Sequence, residues 1–479
     1  MNMSSGTSTY CKRITLGITF LLLASSSLLG IQWNSPLTIS TMTSSSASAS
    51  LVDTGIYDLL IITPEDFSRL LQPLIAHKNA MGISTKCVTL DEVYDRMFWD
   101  GRDNPEKIKY FIKTAYDQWG ISYVLLVGDY KTIPVRYVYN ADIEGYAEPC
   151  FISELYYADL YDAIGEFSTW DSNENGVYGE WLGDRAGDKN IDLYPDVSIG
   201  RLACKNAIEV KIMVNKIIEY ETTAYDSAWF QTIVVVGGDT YPESLNPLWT
   251  GYEGEETNRR VLDNMSGFQP VKLWTSDGSF QGPQDVLRVL NKGCGFLYLD
   301  GHASPRSWST HPPNDEDTWI KGLSVGSMTL LHNGNKVPVC VVGGCHNLQF
   351  DVHLLRIFQD KWYYYTWIPE CWGWKLTRKI GGGSIATIGC TGLGMTKEDK
   401  ESFSGGSDFL EPTFFYQYGV KGIDILGETW GAAISLYLDR YPIDWNTPAA
   451  GDSAIDAKTV QQWVILGDPS LKIGGYDLN

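Results

Sequence analysis

From Ile56 onward, short apolar runs alternate with longer stretches whose apolar residues recur at helical spacing. YDLLII (57–62) reads as a strand, and Pro64–Asn79 follows as a helix with a Pro-Glu-Asp first turn. Ile83–Val88 is a second strand and Pro105–Trp119 a second helix. YVLLV (123–127) is apolar throughout and ends in Gly128-Asp129, the pattern of a parallel strand covered on both faces. A turn-rich stretch, 140–195, interrupts the alternation. Val197–Leu202 and a helix over Ala207–Thr222 then complete a first unit.

The alternation restarts at Thr232–Val236, followed by Gly237-Gly238-Asp239. A helix around Glu255–Met265, a strand at Val271–Trp274 and a helix over Pro283–Lys292 come next. Phe296–Leu299, Val337–Val342 and Ser384–Ile388 are three more apolar strands, and helices around Asp408–Tyr418 and Ile425–Tyr441 close the unit. Strands alternating with helices of this length predict an α/β protein. Two side-by-side units are expected, 55–228 and 229–479, each a mainly parallel sheet flanked by helices.

The first residues depart from this pattern. Lys12 and Arg13 precede an uncharged stretch, Ile14–Trp33, with an apolar centre. Residues 1–33 therefore read as an export signal, with a retained membrane anchor as the alternative. The Ser/Thr/Ala-rich residues 34–54 read as a flexible linker. An exported chain is secreted or held at the extracytoplasmic cell surface. The charge of −21 argues against a nucleic-acid partner and suits basic peptide segments. Nine cysteines without a CxxC or regular spacing support neither a disulfide framework nor a zinc ribbon.

Three strand ends carry the candidate chemistry, because reactive groups in open parallel sheets collect beyond the carboxyl ends of strands. One strand leads to Asp239, one to Asp300-Gly301-His302 and one to Gly343-Gly344-Cys345. If the three strands are neighbours, an acid, an imidazole and a thiol share one edge. A histidine beside a cysteine draws the thiol toward thiolate and then protonates a leaving amine. An acid on the far ring nitrogen would orient it, the role expected of Asp239. The alternatives are a packing thiol at Cys345, a satisfied polar or metal-ligating His302, and a zinc pair with His346, which the alternation of side chains along a strand disfavours.

GHAS (301–304), VVGGCHN (341–347), YVLLVGDYKTIP (123–134), VSIGRLACKNAIEVKIMVNKIIEYE (197–221) and ILGDPSLKI (465–473) together resemble, in order, the gingipain family of cysteine peptidases. The resemblance implies a caspase-like fold in both units and an endopeptidase that works through a thioester on Cys345. It implies that His302 and Cys345 are the catalytic pair, with Asp239 supporting the histidine and no cofactor needed. It further implies an oxyanion hole of the Cys345 and Ala303 N–H groups, although the family has glycine where Ala303 stands. Glu253 falls near the acid that selects a basic P1 residue in the arginine-cleaving members, with Glu255 or Glu256 as substitutes. The expected partner is a peptide or protein substrate, bound by a monomer whose only membrane contact is the N-terminal anchor. An inactive peptide-binding or adhesion homologue and a transpeptidase or self-processing enzyme are the competing readings. Little room for a large pro-domain is expected, and the immunoglobulin-like and sorting domains of some relatives are not found in the sequence.

Asp171-Ser172-Asn173-Glu174-Asn175-Gly176-Val177 opens like an EF-hand calcium loop, with Glu180 two residues short of the usual twelfth position. Asp171, Asn173, Asn175, Val177 and Glu180 are the expected ligands of a structural calcium, as in the gingipain-like family. The alternative is an ion-free turn. Residues 303–335 and 353–375 flank the dyad and are expected to form cleft walls or a lid.

Overall fold

The computed structural model describes residues 51–478 apart from 52, 141–147, 149, 243–250, 359–365 and 397–404. The expected export segment at 1–33 lies outside the described residues, as does most of the linker at 34–54. No described helix is long and apolar enough to cross a membrane.

The strands, in chain order, are β1 Leu59–Thr63, β2 Thr85–Thr89, β3 Tyr123–Val127, β4 Arg136–Val138, β5 Phe151–Ser153, β6 Ser198–Leu202, β7 Thr232–Gly237 and β8 Gln269–Trp274. They continue as β9 Phe296–Leu299, β10 His302–Ala303, β11 Ser307–Thr310, β12 Ile320–Ser324, β13 Val339–Val342, β14 Ala386–Cys390 and β15 Trp463–Leu466. Ten form one sheet in the order β2-β1-β3-β6-β15-β14-β13-β9-β7-β8. β10, β11 and β12 make a small antiparallel sheet, and β4 pairs with β5.

The expected runs become strands because they are apolar on both faces, and β1, β3, β9, β13 and β14 are almost wholly buried. Helices begin where a side chain can take the first free N–H groups. Asp103 caps the helix Asn104–Trp119, which Gly120 ends in the left-handed region at φ 73°. Asn206 caps the helix Ala207–Thr223 in the same way.

Each half is a mainly parallel set of strands, but the two sets run in opposite directions. The seam is β15, which lies parallel to β6 and antiparallel to β14. The end of the chain thus adds a strand to the first half. The pattern of apolar positions does not mark Trp463–Leu466 as a strand.

The turn after β15 is held by a buried ion cluster. The Lys78 ammonium lies 2.8 Å from both Glu221 and Asp468, all three side chains being without exposure. Burial alone would push this ammonium down, but the two carboxylates outweigh burial and raise its pKa. Removing one partner from such a cluster leaves uncompensated buried charge. Asp468→Ala is therefore expected to lower unfolding free energy by about 3–5 kcal/mol in urea titrations. A loss below about 1 kcal/mol would mean that the cluster is not what fixes the seam.

Candidate active site

β7, β9 and β13 are adjacent and parallel, and Leu299 pairs with both Val236 and Val342. The third residue beyond that row is Asp239 on one strand, His302 on the next and Cys345 on the last. Register alone brings the three expected residues to one edge. Gly344 sits at φ 104°, and a Cβ there would lie 2.6 Å from the Ala303 nitrogen. Only glycine lets the turn bearing Cys345 approach the strand that bears His302. The Asn347 amide clamps this turn by donating to the carbonyls of Val342 and Gly344, both at 3.1 Å.

Cys345 and His302 line one cavity, together with Thr240, Tyr241, Glu253 and Asp408. Among the described free thiols only Cys87 and Cys345 escape full burial, which weakens the packing alternative for Cys345. Burial pushes its thiol up to about 11, with the Gly394 N–H acting in the opposite sense. His302 Nε2 lies 2.8 Å from the Thr240 carbonyl. A carbonyl only accepts, so Nε2 carries the proton and Nδ1 keeps its lone pair. Burial lowers the imidazole pKa, so the resting pair is a neutral thiol and a neutral base.

Asp239 is buried beside this bond, one residue before Thr240. Its carboxylate accepts from the Asn314 N–H at 2.7 Å, and it is hydrogen-bonded with Glu253. The bond that holds the His302 ring therefore comes from the main chain next to Asp239. Ala303 keeps a negative φ within β10, so its departure from the family's glycine meets no strain. His346 turns away from the pair, toward Gln349 and Glu148. Among the described residues no group of three His, Cys, Asp or Glu is placed to hold a metal.

Glu253, at the start of the helix Glu253–Asn264, is 5% exposed, accepts from the Tyr241 N–H and lines the cavity. Burial pushes its carboxyl up to about 8. Its two substitutes point elsewhere, Glu255 onto Ser276 and Glu256 onto Arg259. Sequence reasoning missed three more acids on the same cavity: Asp300, Asp408 and Glu411. Burial raises all three. Asp408 and Glu411 lie three apart on the otherwise apolar helix Ser407–Gly419, and that pairing was the available signal.

No residue of the stretch 303–335 lines this cavity, though it packs beside His302. β10 to β12 carry His302 on one side, and the half-exposed Trp319 stands with its ring centre 5.2 Å from that of His302. Part of 353–375 lies outside the described residues.

In the acidic loop, Asp171 accepts from the N–H groups of Asn175 and Gly176 and pairs with Arg102 at 2.7 Å. Glu180 Oε2 accepts from the amides of Asn173 and Asn175. Val177 donates its N–H to the Asn175 side chain.

The fold is a large, mainly parallel α/β sheet whose neighbouring strand ends bring a thiol and an imidazole to one cavity. The chain belongs to peptidase family C25, whose profile matches residues 53–474. It is similar to gingipain R2 of Porphyromonas gingivalis, 21% identical over 297 residues, which cover 61% of this chain and 32% of that protein. Gingipain R1 of the same organism is also 21% identical over 297 residues, covering 61% of this chain and 24% of its own length. The chain thus spans about a third or less of the curated relatives it matches. Among solved structures, the complex of Porphyromonas gingivalis RgpB pro- and mature domains superimposes with TM-score 0.60 at 18% identity, covering 87% of this chain and 79% of that one. The Arg-specific cysteine proteinase gingipain R (RgpB) gives 0.59 at 18% identity, with 88% and 78% covered. At these identities the likeness is one of fold.

A thiol pushed up by burial stays protonated through neutral pH, and its proton leaves only near its raised pKa. The alkylation rate of Cys345 by iodoacetamide is expected to climb steeply between about pH 9 and 11, as for a thiol near that pKa. A rate already flat above pH 7 would indicate a preformed thiolate–imidazolium pair instead.

Proposed function

We propose that the chain is an exported cysteine endopeptidase in which Cys345 attacks a peptide carbonyl and His302 moves the proton. The observation that carries this reading is the meeting of the half-buried Cys345 and the base-competent Nδ1 tautomer of His302 on one cavity. The thiol proton passes to Nδ1 as sulfur bonds to the carbonyl carbon, and the oxyanion faces the N–H groups of Cys345 and Ala303. The imidazolium then protonates the leaving amine, and water hydrolyses the thioester. Asp239 supports the histidine indirectly, by fixing the chain that presents the Thr240 carbonyl. Export to the cell surface or medium follows from the charged and apolar N-terminus, and a monomer suffices because both partners come from one chain.

A basic P1 residue is the specificity best supported. Glu253, Asp300, Asp408 and Glu411 line the cavity, while among the described residues no lysine or arginine does. Such a cavity disfavours anions and rewards a guanidinium or ammonium. One of the structural neighbours carries the description Arg-specific, in the same sense. Since burial raises Glu253 to about 8, its anionic form grows as pH rises toward that value. KM for Arg or Lys peptides is then expected to fall several-fold from pH 6 to pH 8, while KM for Leu peptides stays level. Cys345→Ala is expected to abolish cleavage of a mixed peptide library, by about 10³-fold or more. Equal cleavage after Leu would end the basic-P1 reading. Alkylation of Cys345 without any loss of cleavage would end the peptidase reading, and products joined to an added amine would favour a transpeptidase.

Calcium in the 171–180 loop is proposed as a structural ion. Glu180, short of the usual position, nevertheless accepts from the amides of Asn173 and Asn175, which supports the reading. Arg102 already neutralises Asp171 there, so the ion would compete with it. The expected result is a melting temperature lowered by EDTA by roughly 3 °C or more and restored by calcium. An unchanged melting temperature assigns the loop to hydrogen bonds and Arg102 alone.

A further inference from the structure

The residue after the nucleophile is held in an unusual state. His346 lies at φ 56°, in the left-handed region that side chains other than glycine and asparagine seldom enter. Such conformations persist where surrounding contacts over-determine them. The contacts here lead out of the catalytic half of the chain. His346 N–H donates to the Gly392 carbonyl at 2.8 Å. Its Nε2 lies 3.2 Å from Glu148 Oε1, an ion pair when the ring is protonated, and both side chains are buried.

Glu148 belongs to the segment that leads into β5, in the first half. Its other oxygen accepts from the Leu393 N–H at 2.8 Å and from the Lys458 ammonium at 2.9 Å. Lys458 stands on the helix Asp452–Gln461, next to the seam strand β15. The fit is tight, since a Cβ on Gly392 would meet Glu148 Oε2 at 3.0 Å. Leu393 is the neighbour of Gly394, whose N–H hydrogen-bonds the Cys345 thiol. One carboxylate therefore grips both sides of the nucleophile: the residue after it in sequence, and the turn that donates to its sulfur. Burial alone would push the Glu148 carboxyl up, but Lys458 and His346 hold it below the usual range, so it is an anion.

We infer that Glu148 is a positioning residue for Cys345, holding the thiol through His346 on one side and the Leu393–Gly394 turn on the other. This rests on the reading of Cys345 as the nucleophile. The consequence is that the first half of the chain, which contributes no group to the chemistry, sets the rate of the step performed on the second.

Two variants test it. His346→Asn keeps a residue at ease in the left-handed region but cannot reach Glu148. Glu148→Leu with Lys458→Met replaces the buried pair by apolar groups of similar volume, a change that folds tend to accept. Because its two charges leave together, the field at the thiol changes little. Glu148 and Lys458 are opposite in sign there. Both variants are expected to lower kcat by about tenfold or more, since a displaced nucleophile costs rate. KM is expected to stay within about twofold, since the specificity cavity is untouched. Iodoacetamide alkylation of Cys345 at pH 8 is expected to slow as the Gly394 N–H is lost. Alkylation needs no substrate, so it decides the positioning role even if the wild type cleaves no peptide, an outcome that would count against the peptidase reading alone. A folded double variant that turns over and alkylates like the wild type overturns the inference.

Discussion

The site depends on the hydrogen-bond register of three parallel strands. Val236, Leu299 and Val342 form one row across β7, β9 and β13, and each chain then runs the same distance before presenting its reactive residue. A slip of one residue in any strand would send its side chain to the opposite face of the sheet. The register is fixed by burial on both faces, because every residue of β9 and β13 is in the core. The chemistry is thus positioned by groups that take no part in it. Gly344 adds the last approach, bringing the Cys345 turn against Ala303 where any side chain would collide.

Burial also sets the charge state of everything around the pair. The thiol is raised, the imidazole lowered, and the acids of the neighbouring cavity are all raised. Burial thus works against the ionised forms of the groups that line the site. On the proposed reading of Cys345 and His302, a neutral resting pair places the cost of separating charge in the reaction itself, where backbone N–H groups of the turn would offset it. Glu148 is the exception, because Lys458 lies within hydrogen-bonding distance of it. That difference separates the cavity acids, which burial raises, from Glu148, which Lys458 holds as an anion.

Much of this was legible from residue patterns. The apolar runs of β3, β7, β9 and β13 announced parallel strands, and the glycines before Cys345 and His302 marked sharp turns at their ends. Ordered resemblance then turned a plausible dyad into a family. What stayed hidden depends on contacts between residues distant in sequence. Glu148 and His346 meet only after the fold is made, and nothing near Glu148 in sequence hints at it. The Thr240 carbonyl on His302 could not be read either, since a main-chain acceptor carries no residue signature. Asp239 was therefore expected on the ring itself, one residue from the group that the structure puts there.

The opposed directions of the two half-sheets explain why these long-range contacts converge on Cys345. The carboxyl ends of the second half's strands share an edge with the amino ends of the first half's, so loops from both halves border the same site. β15 completes that edge with a strand drawn from the end of the chain, and the helix preceding it supplies Lys458. The Lys78 cluster locks the following turn to the first half. If Glu148 positions Cys345 as inferred, a perturbation at the seam reaches it through a short chain of groups: Lys458, Glu148, His346 and Cys345. In a sheet whose halves ran in the same direction, the first half would close a different edge and this coupling would have no path.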